Sequence, residues 1–202
     1  GLKLSENSSK GPINPYGKTK LAIENILEDL YNSNNAELKI VNLRYFNPVG
    51  AHISGLIGEY PNNKPTNLFP IITNVAKGEI KYLSIFGKDW PTKDGTCIRD
   101  YIHVMDLAEA HLAALDYLKN NDERVLLSVN IGTGRGTSVL EIVNKFSEIN
   151  KISVPYVFVD RRKGDPAELV ADNSLALNLL DWYPSRGISE MCLDTWRWIN
   201  SF

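Results

Sequence analysis

The 202-residue sequence has few cysteines, few histidines and no long apolar run, and each scarcity excludes a class of protein. Cys97 and Cys192 lie far apart and match no spacing typical of metal sites or disulfide frameworks, so we expect reduced thiols in a cytoplasmic protein. The histidines His52, His103 and His111 are equally scattered, and we predict no metal site. No apolar stretch approaches the roughly 20 residues of a membrane-spanning helix, and the first residues do not resemble a signal peptide, so no membrane association is expected.

An excess of charge of one sign is also missing. The formal net charge is −2 and there is no long basic run, which argues against nucleic acid as the main partner. Hydrophobic residues make up 43% and charged residues 23% of the chain, a balance typical of globular proteins with a substantial core.

The sequence also lacks a complete dinucleotide-binding fingerprint. Segment 132–136 (GTGRG) lies between a predicted strand and a predicted helix, but its third glycine comes one residue too early for Gly-x-Gly-x-x-Gly. No acidic residue follows at the position that ribose recognition requires. We therefore predict a tight strand-to-helix turn, capped by Thr137 or Ser138.

Predicted strands and helices alternate along the chain, which indicates an α/β protein with a largely parallel sheet and covered faces. In the most regular helix, an apolar stripe is predicted from Leu107, Ala108, Leu112 and Leu115, with His111 as a hydrogen-bonded packing residue. The predicted strands are 39–45, 83–86, 97–104, 125–131 and 156–159, and the predicted helices after the first are 67–77, 104–118, 138–149, 174–182 and 189–200. A long loop is predicted at 51–66.

Tyr16 and Lys20 lie one turn apart at the start of the first predicted helix. Asn14 suits the N-cap and Pro15 the first helical position, and the helix is predicted to end between residues 32 and 35. The lysine cation and the positive helix N-terminus would favour the phenolate form, which makes Tyr16 a candidate general base. Tyr-x-x-x-Lys is a common pattern, so a solvated lysine beside a packed tyrosine is the alternative interpretation.

Two arginine-containing segments are the best candidates for binding an anion. Arg99 and Arg162 could clamp a diphosphate through their planar guanidinium groups, and Asp165 could accept hydrogen bonds from ribose or sugar hydroxyls. The alternatives are an ion pair of Arg99 with Asp100 or Asp106, and a solvated charge run at residues 161–163. The amides of Asn47 and Asn67 can bind ligands, although asparagines at turns usually bond the backbone.

Five segments, taken in chain order, carry a family resemblance: 11–20 (GPINPYGKTK), 43–52 (LRYFNPVGAH), 85–87 (IFG), 99–108 (RDYIHVMDLA) and 161–165 (RRKGD). Together they resemble the UDP-glucose 4-epimerases (UDP-galactose 4-epimerases) of the extended short-chain dehydrogenase/reductase superfamily. The resemblance extends from about residue 5 to the C-terminus, including DTWRW at 194–198. Related nucleotide-sugar decarboxylases and dehydratases share Tyr-x-x-x-Lys but usually differ after the strand that ends at residue 45.

The resemblance implies an NAD-dependent interconversion of UDP-glucose and UDP-galactose through a 4-keto sugar. Tyr16 would take the proton of the sugar 4-hydroxyl, Lys20 would assist it and hold the nicotinamide ribose, and Phe46 would lie against the cofactor. Arg99 and Arg162 would hold the diphosphate and Asp165 the ribose, while Leu169 would lie beside the sugar and disfavour N-acetylated sugars. The remaining implied substrate-binding residues are Asn47, Asn67, Leu68, Ser84, Ile85 and Phe86.

The chain departs from the family in its missing Gly-rich βαβ unit and its missing catalytic serine, because Ser5, Ser8 and Ser9 do not lie in the matching segment. It is therefore expected to be the C-terminal portion of an epimerase, either a truncated product or a short gene form: the C-terminal part of a Rossmann-type parallel sheet plus a small α/β substrate-binding domain. Residues 1–50 would belong to the incomplete NAD-binding domain and 51–202 mainly to the sugar-nucleotide-binding domain, with 104–137 returning to the Rossmann sheet.

Because most of the NAD cradle is missing, we expect weak NAD binding, exposed apolar faces, self-association and no activity of the isolated chain, although the family implies a homodimer. The alternatives are a non-catalytic sugar-nucleotide-binding or assembly module and a related decarboxylase or dehydratase.

Overall fold

Helices and strands alternate along most of the chain in the computed structural model, which describes residues 3–33 and 37–201. The helices are α1 (Pro15–Asn32), α2 (Leu68–Ala76), α3 (Val104–Asn120), α4 (Val139–Asn150), α5 (Ser174–Leu180) and α6 (Ile188–Ile199). The strands are β1 (Ile40–Tyr45), β2 (Asn47–Val49), β3 (Leu83–Phe86), β4 (Ile98–His103), β5 (Leu126–Ile131), β6 (Gly136–Ser138), β7 (Tyr156–Val159) and β8 (Glu168–Leu169).

The strands form three small sheets in which parallel pairing predominates. β1 pairs with β5, β3 pairs with β7, and β4 pairs with β2 and β8, all in parallel. The one antiparallel pair among these strands joins β4 to β6. The α/β class and the largely parallel pairing are confirmed, with the strands distributed over three sheets.

Two apolar clusters hold these elements together. The first lies between α2, α4, α6 and β3 and contains the fully buried rings of Phe69 and Phe146, which meet edge to face. The second lies between α3, α5 and β5 and contains Ala110, Val129 and Ile131. The first cluster supports β3 and the start of α2, which line one of the cavities described below.

The N-caps of α1 and α4 and the C-terminal end of α1 lie where the sequence predicts them. The Asn14 side chain accepts a hydrogen bond from the Gly17 amide at 2.8 Å, and Ser138 caps α4 by accepting from the Glu141 amide at 3.0 Å. The helix α1 ends at Asn32, within the predicted interval; residues 34 and 35 of that interval lie outside the described residues.

The predicted core face of α3 is wrong. Leu112 is 62% and Leu115 46% exposed, while the buried side chains are those of Asp106, Leu107, Ala110 and Ala114. His111 is exposed and hydrogen-bonds the Leu107 carbonyl of its own helix at 2.8 Å. The small alanines face inward because α3 packs closely against β1 and α5, and the larger leucines face outward.

Strand β1 is less buried than predicted, since only Ile40 is fully buried and Tyr45 is 45% exposed. The sequence also did not predict the short strands β2, β6 and β8, which exist through their pairing with β4.

A glycine redirects the chain from β2 into the loop 51–66. Gly50 has φ +92°, and a Cβ atom there would lie 2.7 Å from Nε2 of the buried His103. The position therefore excludes other residues on both conformational and steric grounds.

Among the described residues, no helix has both the length and the apolar character needed to cross a membrane. Within the same residues, no group of three or more His, Cys, Asp or Glu side chains is placed to hold a metal ion.

Candidate functional site

Tyr16 and Lys20 project from the same face of α1. The Lys20 ammonium lies 5.2 Å from the centre of the Tyr16 ring, and Tyr16 is 66% exposed. Both residues line an open cavity of about 500 Å³, the outer cavity, which also contacts β1 and His111. The phenol is therefore accessible to a ligand, and the Lys20 ammonium lies beside its ring.

A second cavity of about 480 Å³ extends from Lys20 along the C-terminal end of β1, and we call it the lysine cavity. Phe46, Asn47 and Leu169 line it together with Lys20. Leu169 lies in β8 directly opposite Arg99 of β4, so the pairing of these strands determines its place. Ser5 and Ser8, which do not match the catalytic serine of the resembled family, also line this cavity.

An ion-pair network attaches α1 to the strand that leads into this cavity. The Glu24 carboxylate accepts two hydrogen bonds from the Arg44 guanidinium, at 2.7 and 2.8 Å, and one from Lys10 at 2.8 Å. Hydrogen bonding to Arg44 is the main reason why the pKa of Glu24 lies below its ordinary value. Because Lys20 and Glu24 are one turn apart, the network fixes the Lys20 face of α1 relative to the end of β1.

A third cavity of about 330 Å³ brings most of the predicted substrate-binding residues together, and we call it the arginine cavity. Its walls come from β2, the start of α2, β3, β4 and the loop after β7. The predicted residues that line it are Asn47, Asn67, Leu68, Ser84, Ile85, Phe86, Arg99, Arg162 and Asp165. Ile85 is 1% exposed and packs mainly into the first apolar cluster. Asn47 belongs to both the arginine and the lysine cavity, so the two adjoin.

Arg99 is held in the arginine cavity by carbonyl groups. Its Nη1 donates to the carbonyls of Ile98 and Pro166 at 2.8 and 2.9 Å, and its Nη2 lies 3.9 Å from the Asp165 carboxylate. Arg99 does not form the alternative ion pairs with Asp100 or Asp106. Asp100 instead accepts a hydrogen bond from the Thr133 amide, and Asp106 pairs with Arg186.

In the basic run at 161–163, Arg161 makes structural contacts and Arg162 lines the arginine cavity. Arg161 pairs with Asp89 at 2.8 Å and stacks over Trp90, outside the arginine cavity. The Arg162 guanidinium lies 4.4 Å from the centre of the Phe86 ring, within the cavity wall. The cavity thus offers two guanidinium groups, one of them against an aromatic ring.

The N-terminus of α2 opens onto the same cavity. Asn67 occupies the N-cap position, but its side chain accepts no hydrogen bond from the first turn, and no acidic residue lies in that turn. The first amide groups of a helix carry partial positive charge and bind anions when they are not capped. Together with Arg99 and Arg162, this helix end suits a ligand with several anionic oxygens.

The other residues that line the arginine cavity include Glu59, Cys97 and Tyr101, for which the sequence predicted no role in the site. Burial raises the pKa of the Tyr101 phenol and that of the Cys97 thiol, so both groups stay protonated near neutral pH. Tyr101 lies in the segment 99–108, but its place in the cavity wall, like that of Glu59 and Cys97, depends on a loop and a strand that meet only in the folded chain.

A family model described as the NAD dependent epimerase/dehydratase family matches residues 3–132. The UDP-glucose 4-epimerase of Bacillus subtilis (strain 168) is 50% identical over 198 residues, which is 98% of this chain and 58% of that protein. The UDP-glucose 4-epimerase of Drosophila melanogaster is 54% identical over 184 residues, 91% of this chain and 52% of that protein. The chain thus spans little more than half the length of these relatives.

Solved structures show the same similarity. The UDP-glucose-4-epimerase of Stenotrophomonas maltophila, with bound NAD and formylated UDP-arabinopyranose, superposes with a TM-score of 0.94 at 46% identity, covering 98% of this chain and 58% of that one. The UDP-glucose 4-epimerase of Bifidobacterium longum, in complex with NAD⁺ and UDP, gives 0.92 at 42% identity, covering 99% and 59%.

Proposed function

Because this chain belongs to the NAD dependent epimerase/dehydratase family, we propose that it supplies the sugar-nucleotide site and the catalytic tyrosine of an enzyme that interconverts UDP-glucose and UDP-galactose. The observation that carries the proposal is the junction of two cavities at Asn47. One cavity offers anion-binding groups, and the other begins at Lys20 beside Tyr16.

The arginine cavity accounts for the nucleotide. Arg99, Arg162 and the uncapped start of α2 bind the diphosphate, and the Asp165 carboxylate accepts from the ribose hydroxyls. Ser84 and Phe86 belong to the strand that faces the uridine, and the Phe86 ring already carries a stacked guanidinium. Asn47 then lies where the diphosphate leads into the lysine cavity, next to the sugar.

The lysine cavity accounts for the chemistry. The Tyr16 oxygen accepts the proton of the sugar 4-hydroxyl, with the Lys20 ammonium beside its ring. A bound NAD supplies the acceptor and donor of the hydride at the sugar carbon. The exposure of Tyr16 on α1 leaves the phenol free to reach the sugar from the outer cavity.

The described residues fit only one end of NAD. Lys20 and Phe46 both line the lysine cavity and suit a ribose and a flat nicotinamide ring. The glycine-containing turn 132–136 cannot cradle the diphosphate, because its Thr133 and Gly134 amides already donate to Asp100 at 2.8 and 2.9 Å. We therefore expect weak NAD binding and no turnover by the 202-residue chain on its own.

A non-catalytic sugar-nucleotide-binding module is the second candidate. The arginine cavity, which is the part of the site that holds the nucleotide, is lined by described residues. Nowhere in the described part of the chain do residues form a cradle for a dinucleotide. Binding of UDP without NAD is the property expected of such a module.

Calorimetric titration of the purified chain with UDP and with uridine tests the proposal. UDP is expected to bind more tightly than uridine, and Arg162→Gln should weaken UDP binding about ten- to hundredfold, because a charge-assisted hydrogen bond contributes about 1.5–3 kcal/mol. Arg135→Gln is the matched control, since Arg135 is exposed and lies outside the arginine cavity. Equal binding of UDP and uridine would contradict the diphosphate site.

Mass spectrometry for bound NAD and a UDP-galactose assay then separate the two candidates. Bound NAD with product supports the enzyme, and UDP binding without NAD or product supports the module in the isolated chain. A saturable micromolar isotherm for NAD⁺ would contradict the weak cofactor binding expected here.

A further inference from the structure

Two consecutive arginines follow β7, and each stacks on an aromatic ring from the end of β3 or from the loop after it. The Arg161 guanidinium lies 4.2 Å from the centre of the Trp90 ring, and the Arg162 guanidinium lies 4.4 Å from the centre of the Phe86 ring. Phe86 and Arg162 line the arginine cavity, whereas Trp90 and Arg161 do not. One stacked pair therefore belongs to the cavity wall and the other lies outside it.

Arg161 is held by the loop after β3 through hydrogen bonds as well as by stacking. Its Nε donates to the Asp89 carboxylate at 2.8 Å, and its Nη2 donates to the Asp89 carbonyl at 2.5 Å. The guanidinium also lies over the Trp90 ring. A guanidinium engaged in this way serves the loop, and it does not bind a ligand in the arginine cavity.

Trp90 is in turn fixed to the end of β3. Its Nε1 donates to the Phe86 carbonyl at 3.0 Å, so the ring under Arg161 is attached to the residue whose ring lies under Arg162. Gly87 lies between the two aromatic residues and has φ +84°. A Cβ atom at Gly87 would lie 2.4 Å from Trp90 Nε1 and 2.9 Å from Arg161 Cγ, so only glycine leaves room for both side chains.

The turn that carries Arg162 is attached at both of its ends. Arg161 attaches one end to the loop after β3, and the Pro166 carbonyl attaches the other by accepting from Arg99 at 2.9 Å. Between these points the Asp165 amide donates to the Arg162 carbonyl at 3.2 Å, which closes the turn. Because Arg162 directly follows one attachment point, its direction depends on where Arg161 is held.

We propose that Arg161 is a positioning residue, whose contacts with Trp90 and Asp89 hold the chain so that Arg162 points into the arginine cavity. This inference rests on the proposed function, because the group that Arg162 meets there is the diphosphate of a sugar nucleotide. Arg162 contacts the ligand, and Arg161 acts through Arg162. The gain is one of preorganisation, since an arginine that is already held in place loses less conformational freedom when it binds.

Calorimetric titration of the purified chain with UDP and with uridine tests the inference. Arg161→Gln removes the stacked guanidinium and its bonds to Asp89. UDP should then bind about three- to tenfold more weakly, the range expected from immobilising one long side chain. Uridine has no phosphate, so its affinity should not change. Equal losses for UDP and uridine would show general damage to the site and would overturn the inference.

Lys163 provides a matched control for charge. Lys163 is exposed, does not line the arginine cavity and is as close along the chain to Arg162 as Arg161 is. Lys163→Gln removes one positive charge, as Arg161→Gln does, but UDP affinity should fall less than about twofold because salt screens exposed charges. Equal losses of UDP affinity in the two variants would mean that charge, and not position, is the cause.

Trp90→Leu makes the converse change, because it keeps every charge and removes the ring under Arg161. UDP should bind this variant about threefold more weakly or worse, while uridine binds as before. Unchanged UDP affinity in Trp90→Leu would contradict the role of the stacked pair in placing Arg162.

A double-mutant cycle tests whether Arg161 acts through Arg162. In the Arg162→Gln background, Arg161→Gln should change UDP affinity by less than about twofold, because no guanidinium is left to position. A further loss of about threefold or more in that background would show that Arg161 reaches the ligand by another route, and the inference would fail.

The outcomes separate this inference from the proposed function. Failure of the unaltered chain to bind UDP, or equal binding of UDP and uridine, would overturn both. UDP binding that is weakened in Arg162→Gln but unchanged in Arg161→Gln would overturn the positioning role alone.

Discussion

Leu169 limits the room beside Lys20 and Asn47 in the lysine cavity. If the sugar lies there, replacing leucine by alanine should admit the larger N-acetylated sugars. Leu169→Ala is expected to raise the affinity for UDP-N-acetylglucosamine relative to UDP-glucose about tenfold, the range that a few methyl groups produce in an apolar pocket. Competition titrations against UDP measure the ratio, with Leu177→Ala, a partly exposed leucine of α5, as control. Equal affinity of the unaltered chain for both sugars would contradict the role of Leu169.

Individual site residues differed in how far the sequence could predict them. Arg99, Arg162 and Asp165 lie in segments with a strong local pattern, and the structure places all three in one cavity. Glu59 has no such pattern. Its carboxylate accepts a hydrogen bond from Asn67, and its carbonyl accepts one from Trp198 near the C-terminus. Contacts between residues so distant in sequence arise from packing, which no local pattern records.

The α1–β1 contact is the element on which the place of Tyr16 and Lys20 depends. None of the α1 residues is fully buried, so the ion pair of Glu24 with Arg44 carries much of the attachment. Arg44 holds the pKa of Glu24 below its ordinary value, so its contribution to stability is present above about pH 4.5 and is lost as the pH falls further. We therefore expect Glu24→Gln to destabilise the chain by about 1–2 kcal/mol at pH 7 and by much less at pH 3.5.

Urea unfolding of the unaltered chain and the variant at both pH values measures this difference. Glu28→Gln serves as the control because Glu28 lies on the exposed side of the same helix. A destabilisation by Glu24→Gln that is equal at both pH values would show that the ion pair does not hold α1.

Whole helices and long strands could be predicted from the sequence more readily than their faces. Strand β3 was predicted at its observed bounds, because its alternation and the flanking turn residues act locally. The buried face of α3 was not predicted correctly. This helix carries one apolar stripe of small residues and another of large residues, and periodicity cannot tell which one faces the core. Strands β6 and β8 have three and two residues, too few for a periodic signal, and they form through pairing with β4.

At the scale of the molecule, the structure combines a well-packed side around the arginine cavity with an open side around Tyr16. The arginine cavity adjoins the first apolar cluster, whose rings are almost wholly buried. Tyr16, in contrast, lies on α1, which carries an exposed apolar stripe. The stripe consists of Ile23, Ile26 and Leu30, which are 49–57% exposed. In the described residues β1 pairs only with β5, so one edge of β1 is also open.

These open surfaces predict self-association of the purified 202-residue chain. An apolar helix stripe beside an unpaired strand edge is covered at low cost by a second copy of the same surface. Light scattering should therefore give a mass above 22.7 kDa that rises with concentration. Ile26→Glu should weaken association at least tenfold, because burying one isoleucine contributes about 1.5–3 kcal/mol. Asn25→Glu adds the same charge one residue away, off the stripe, and should change association little. A single 22.7 kDa species at all concentrations would contradict the prediction and would mean that these faces are stable in water.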